Sequence, residues 1–186
     1  MKPLNNPAQI IHEVKRLVDS ERRSEIRLNA NGGNSILIIC EPLRETEYID
    51  KLVELLPEES YSVIDLNKCL IDFVAAHKSE IDGWFEMLQS SIDEIFKAPA
   101  VEESPDLFKE IISKVETAFN KEKTPVLINT GALYGTSIDN LHIMENESVM
   151  KAGLPLIILY PATNDLNRLM FLGKRPASEY RCMTIQ

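Results

Sequence analysis

Three groups of residues in this chain have the types and spacing to do chemistry. Ser137, Asp139 and His142 supply the hydroxyl, carboxylate and imidazole of a hydrolytic triad. A triad needs the imidazole to meet the nucleophile with one nitrogen and an orienting carboxylate with the other, and placement within one short helix argues against that chain of contacts. His142 and Glu145 share a helix face and could ligate a metal. A usable site needs further ligands, and the remaining histidines, His12 and His77, belong to other predicted helices. Asp165 and Arg168 form an i,i+3 pair on a short helix expected to be capped by Thr163 or Asn164. As a local ion pair it contributes roughly a few tenths of a kcal/mol, and as a polar rim it could meet a partner.

Phosphate chemistry makes stricter demands. A P-loop needs backbone amides around the phosphates and a lysine followed by serine or threonine after a glycine loop. Glu41-Pro42-Leu43-Arg44-Glu45-Thr46, which follows the first strong strand, has no glycine and sets acids where the phosphate would lie. Gly32-Gly33 precedes that strand, at its wrong end. A dinucleotide fingerprint fails for the same reason, so Asp65, at the end of the second strand, reads as a helix-start or turn residue. Cys40, Cys69 and Cys182 show no CxxC spacing and read as buried, reduced thiols.

The elements that must position these residues follow from periodicity. Ile10, Ile11, Val14, Leu17 and Val18 recur at helical spacing and predict an amphipathic N-terminal helix. Ser35 to Cys40 is an apolar run of strand length and is expected at the centre of the sheet. Thr46 is expected to cap a helix bearing Tyr48, Ile49, Leu52, Val53 and Leu56 that stops at Pro57, with a second strand over Tyr61 to Asp65. Residues 67–120 read as mainly helical, with Trp84 in the core and Ser104-Pro105 opening a helix striped by Phe108, Ile111, Ile112, Val115 and Phe119. Pro125 to Thr130, Pro155 to Tyr160 and Tyr180 to Ile185 predict three further strands. A helix over Ile138 to Met150, capped by Thr136 or Ser137 and ended by Gly153, returns the chain between two of them.

Alternating strands and helices imply an α/β chain: a three-layer, Rossmann-like fold with a mainly parallel sheet of about five strands flanked by helices, lacking a P-loop. The expected strand order is 2-1-3-4-5. The 186 residues read as a single domain, with 1–28 an N-terminal helix and 67–120 a helical segment between strands. Hydrophobic content of 44% with 26% charged residues describes a globular protein expected in the cytoplasm, with neither a signal sequence nor a membrane-length apolar run. A net charge of −9 repels a phosphate backbone, which excludes autonomous nucleic-acid binding from the expectations. The basic residues Lys15, Arg16, Arg22, Arg23 and Arg27 are interleaved with Glu13, Asp19, Glu21 and Glu25, which largely cancel them.

The C-terminal third carries a set of residues in characteristic order. Thr130-Gly131, a helix with His142 and Asn146, Pro155-Leu156-Ile157-Ile158-Leu159-Tyr160-Pro161, Asp165, Leu169, Gly173-Lys174 and Tyr180-Arg181 together resemble the BrxB proteins of bacterial BREX phage-defence systems. The chain departs from that pattern at Leu166-Asn167, where the family tends to have glycine and a polar residue, and in its shorter Tyr-Arg ending. The resemblance implies a small defence component without a recognised catalytic motif or cofactor. It would work in an assembly with the phosphatase-like PglZ, the methyltransferase PglX and the ATPase BrxC. In parallel α/β sheets the strands' carboxyl ends line the ligand crevice, here the loops after Thr130 and Tyr160, and these carry no evident catalytic group. The expectation is a non-enzymatic adaptor that binds a PglZ-like protein through Tyr134, Tyr160, Asn164, Asp165 and Arg168. The alternative is a degenerate nucleotide- or nucleic-acid-processing enzyme active only in a complex.

Overall fold

Strands of two to ten residues build the sheet, and the computed structural model describes residues 6–20, 23–88, 91–98, 106–165 and 168–186. The strands are Ser35–Cys40 (β1), Tyr61–Asp65 (β2), Thr124–Ile128 (β3), Leu156–Asp165 (β4), Arg168–Phe171 (β5), Arg175–Pro176 (β6) and Cys182–Ile185 (β7). Both β1 and β3 are buried at every position. That is the pattern of parallel strands covered on both faces, which need apolar side chains at successive positions. Five strands run parallel in the order β2-β3-β4-β1-β7, and β5 and β6 extend β4 as an antiparallel hairpin.

Helices cover both faces. Pro7–Asp19 (α1), Arg23–Asn29 (α2) and Glu45–Leu55 (α3) bury Val14, Ile26 and Leu52 with Ile36, Ile38, Ile157 and Leu159 of the sheet. On the opposite face, Leu66–Ala76 (α4), Leu107–Asn120 (α6), Asn140–Met144 (α7) and Glu147–Lys151 (α8) bury Phe73, Ile111, Ile143 and Val149 against Leu37, Leu127, Ile158 and Tyr160. Lys78–Leu88 (α5) packs Trp84 and Leu88 against the edge of this core and buries none of its residues fully. The result is the expected three-layer α/β architecture.

Polar caps fix the helix ends. The Asn6 side chain accepts from the Ala8 amide at 3.0 Å with Pro7 at the first helical position. Asp65 accepts from the amides of Asn67 and Lys68 and starts α4, as its place after β2 suggested. At the other end of the sheet, Asn34 is buried and its amide nitrogen donates to the carbonyls of Val149, Ala152 and Leu154. Arg27 donates to the carbonyls of Met150 and Ala152. Together they satisfy the backbone groups left open where α8 ends and tie that turn to the start of β1.

Several expectations need correction. Numbering the five parallel strands along the chain, their order is 2-3-4-1-5, not 2-1-3-4-5. The two strongly apolar strands, β1 and β4, pair along their length from Ser35↔Leu156 to Cys40↔Pro161, so β4 is central and β1 lies beside it. Gly32-Gly33 has a steric role here. A Cβ on Gly33 would fall 2.0 Å from the Arg181 carbonyl oxygen, so only glycine lets the chain entering β7 pass this close to the turn before β1. The N-terminal helix is two helices, with Ser20 ending α1. Thr46 lies inside α3, whose N-cap is Arg44.

The single helix expected over Ile138 to Met150 is split into α7 and α8. Asp139 and Asn146 each cap a start, and Ser137 adopts a left-handed conformation at φ 56° that cannot continue a helix. Asp106 caps α6, accepting from the Lys109 amide at 2.7 Å, whereas Ser104-Pro105 lies outside the described residues. Trp84 is half-buried against the core edge, its ring 5.6 Å from that of His77.

Candidate functional site at the carboxyl edge of the sheet

Because the five long strands are parallel, their carboxyl ends lie along one edge. β2 and β3 lead into α4 and the turn at Thr130–Leu133 on one face, whereas β1 leads through Pro42–Arg44 into α3 on the other. These opposite departures on either side of β4 mark a crevice at this edge, the usual ligand position of the architecture.

Acids and amides line it. Asn129 sits in the left-handed region at φ 56°, which Asn tolerates better than most residues, and its side chain donates to Asp65 at 2.9 Å. Its backbone amide donates to the Glu45 carboxylate. Burial raises the Glu45 carboxyl above its ordinary range, Asp65 adds to the rise, and the Asn129 amide opposes it. One oxygen of Glu45, Oε1, is buried with no hydrogen-bond partner. Arg44 reaches away from the acids to Glu47 at 2.8 Å. A carboxylate pair with one unsatisfied oxygen suits a proton or a cationic group and repels phosphate.

The β4 strand adds the second feature. It runs past the crevice and folds back as the β4–β5 hairpin, pairing Asp165↔Arg168 and Asn164↔Leu169. Asp165 and Arg168 are therefore cross-strand neighbours and not an i,i+3 helical pair, because Leu169 and Phe171 are buried by period-two alternation along β5. Asn164, Asp165 and Arg168 are exposed, and Asn164 donates to Gln186 at 3.4 Å. Residues 166 and 167, which connect the strands, lie outside the described residues.

Tyr134 is 52% exposed, but Tyr160 is only 2% exposed. Tyr160 stacks on Phe171 with ring centroids 4.6 Å apart, and its hydroxyl donates to Asn140 at 3.4 Å. Burial pushes its hydroxyl well above the ordinary tyrosine range. Four of the five expected contact residues are thus on the surface, and Tyr160 instead anchors the hairpin from below. Its alternation with Leu156, Ile158 and Ala162 on one face of β4 was the signal for burial.

Arg175 was missed. From β6 it pairs with Asp139 at 2.5 Å and stands over the rings of Phe171 and Tyr134 at 5.1 and 5.9 Å. It joins the hairpin to the loop that presents Tyr134, and a lone arginine after Gly173-Lys174 gave no local sign of this.

The triad residue types are spent elsewhere. The Asp139 backbone amide donates to His142 Nδ1 at 3.1 Å in a capping box, and Ser137 donates to Asp93. Burial, with Lys97 next, lowers the His142 pKa. All three cysteines are buried and free. Burial pushes the Cys40 thiol up to about 12 and Cys182 up to about 11, and raises Cys69, so none is poised as a thiolate. Among the described residues no three His, Cys, Asp or Glu side chains gather as a metal site, and no helix is long and apolar enough to cross a membrane. The chain matches no family model, no curated protein and no solved structure.

Proposed function

We propose that this protein is a non-enzymatic docking subunit of a BREX-like anti-phage assembly, binding a larger partner such as a PglZ-like protein through the carboxyl edge of its sheet. The observation that carries the docking part is the β4–β5 hairpin. A central strand, anchored by the buried Tyr160–Phe171 stack, extends beyond the crevice and presents Asn164, Asp165 and Arg168 on a rigid support. Tyr134 lies beside it under Arg175. Tyrosine and arginine combine apolar area with directional hydrogen bonds, and such residues dominate interface energetics. The BREX assignment and the PglZ-like partner rest on the BrxB resemblance of the C-terminal third.

The test is co-purification of the full chain with a PglZ-like partner, alongside phage protection in cells. Arg168→Glu and Tyr134→Ala, both at exposed positions, should leave thermal unfolding unchanged while weakening assembly by roughly tenfold or more and removing protection. Wild-type assembly and protection by both variants would refute the site.

Glu45 favours one second reading, in which a partner completes a degenerate nucleotide- or nucleic-acid-processing centre. A raised, half-buried carboxyl beside Asp65 and Asn129 is the kind of group that transfers protons. Under that reading Glu45→Gln abolishes turnover in the assembled complex while assembly persists. Under the docking reading, activity of the complex survives the change.

A further inference from the structure

The outer strand β2 has an unusual set of open backbone groups. The Thr124 amide donates to the Ser60 carbonyl at 2.8 Å, and backbone groups alternate sides along a strand, so residues 62 and 64 bond to β3 while Tyr61, Val63 and Asp65 point outward. Two outward groups are already used. The Tyr61 amide donates to the Pro57 carbonyl at 3.0 Å, and the Asp65 carbonyl, at the N-cap of α4, accepts the first helical bond. Among the described residues this leaves the Tyr61 carbonyl, both groups of Val63 and the Asp65 amide open.

That remainder is self-complementary. We propose that β2 pairs antiparallel with β2 of a second copy of this chain, about a two-fold axis through Val63. In this register the two Val63 residues exchange both of their hydrogen bonds, and each Tyr61 carbonyl accepts from the other copy's Asp65 amide. The exchange that Tyr61 and Asp65 would otherwise add is the one already satisfied inside each copy. The side chains agree with this register. Val63 is 41% exposed on an edge that carries no proline or bulge, two of the devices that keep solitary edges unpaired, and its one charged residue, Asp65, is at the strand's last position.

Charge supports a second copy in particular. The net charge of −9 opposes self-association, so contact between copies needs local attraction. Antiparallel pairing sets the turn before β2, where Glu58 is exposed, beside the end of the other copy's β2, where Lys68 lies in the first turn of α4. Lys68 and Lys114 line a groove of about 310 Å³ beside β2, with Asp65, Cys69 and Thr117. Lys68 pairs with Asp72 at 3.1 Å, and Lys114 has no ion-pair partner among the described residues. The groove therefore holds a lysine free to meet an incoming carboxylate.

Sedimentation velocity of the full chain tests this, over concentrations from about 5 to about 200 µM, since self-association follows mass action. Wild type is expected to pass from monomer to dimer. Val63→Pro removes an amide that the β3 ladder does not use, and Val63→Lys places a charge on the edge. Each should weaken dimerisation roughly tenfold or more while keeping the far-ultraviolet spectrum and cooperative unfolding. If the proline variant misfolds, the lysine variant decides. Glu58→Lys should also weaken the dimer, and Glu58→Lys with Lys68→Glu should recover it. A wild-type chain that stays monomeric overturns the proposal, as it would if β2 were reserved for a strand from a different protein. Wild-type dimerisation by the folded Val63 variants, or no recovery in the charge exchange, overturns it equally.

Discussion

Replacing Asn34 by alanine should destabilise the protein by about 2–3 kcal/mol, although the residue lies far from the carboxyl edge. Its side-chain amide reaches three carbonyls, of Leu154 at 2.8 Å, Val149 at 3.0 Å and Ala152 at 3.1 Å. An amide nitrogen carries only two hydrogens, so these contacts count as two hydrogen bonds shared among three acceptors. Each contributes roughly 1 kcal/mol net, and a buried carbonyl left without a donor costs about 1 kcal/mol or more. Ala152 keeps its bond from Arg27 at 2.9 Å and Val149 keeps one from the Ala152 amide at 3.4 Å, which limits the second contribution mainly to Leu154. The backbone carbonyl of residue 34 still accepts from the Leu156 amide at 2.9 Å, so the β1–β4 register survives and the loss is one of stability. For a chain of this size the change corresponds to a fall of roughly 5–10 °C in melting temperature. Asn34→Asp should cost more, because a carboxylate would then face carbonyl oxygens. Urea unfolding followed by circular dichroism measures both variants, and an Asn34→Ala effect below about 0.5 kcal/mol would refute the reasoning.

Two further outcomes follow from the site. The folded-state pKa of Glu45 is raised, so its stabilising contribution is complete below the ordinary carboxyl value of 4.5 and is lost as pH rises through the folded value. Glu45→Gln should therefore match wild type below that pH and gain relative stability above it, and unfolding free energies measured on both sides of 4.5 check the sign. A variant that loses relative stability as pH rises contradicts the assignment. Tyr160→Ala should cost about 3–5 kcal/mol through the cavity it leaves against Phe171, and Tyr160→Phe only about 1 kcal/mol or less. An alanine variant as stable as wild type would place Tyr160 at the surface after all.

Local patterning carried most of the elements. The run at Ser35 to Cys40 and the stretch Tyr61 to Asp65 became strands with those bounds, and the apolar stripe of Ile10, Ile11, Val14, Leu17 and Val18 became the buried face of α1. What failed depended on distant partners. Nothing within β1 says that it pairs with β4, because β1 and the first seven residues of β4 are all buried and neither shows a preferred edge. The hairpin was misread as a helix because Thr163 to Arg168 is too short to show a period, and its strand character comes from Leu169 and Phe171 entering the core. At the site, exposure of Tyr134, Asn164, Asp165 and Arg168 followed from their place at strand ends, whereas Arg175 needed the fold to bring β6 against the Asp139 loop.

The two features of the carboxyl edge bear differently on what can bind there. An anion would have to approach Glu45 and Asp65, and the nearest described cation of α3's entry, Arg44, is turned toward Glu47. A protein partner that brings its own arginine or lysine meets no such barrier. Its cation would meet the half-buried Glu45 carboxylate while its surface rests on the hairpin. Binding of that kind would stabilise the ionised form of Glu45 and draw its pKa down toward the ordinary range. Complex formation that takes up no proton, and releases one as pH falls toward the free protein's raised Glu45 value, is the linked signature of a basic partner group at this edge. A purely hairpin-borne contact would leave that titration unchanged, so the proton balance of assembly locates the partner relative to the acids.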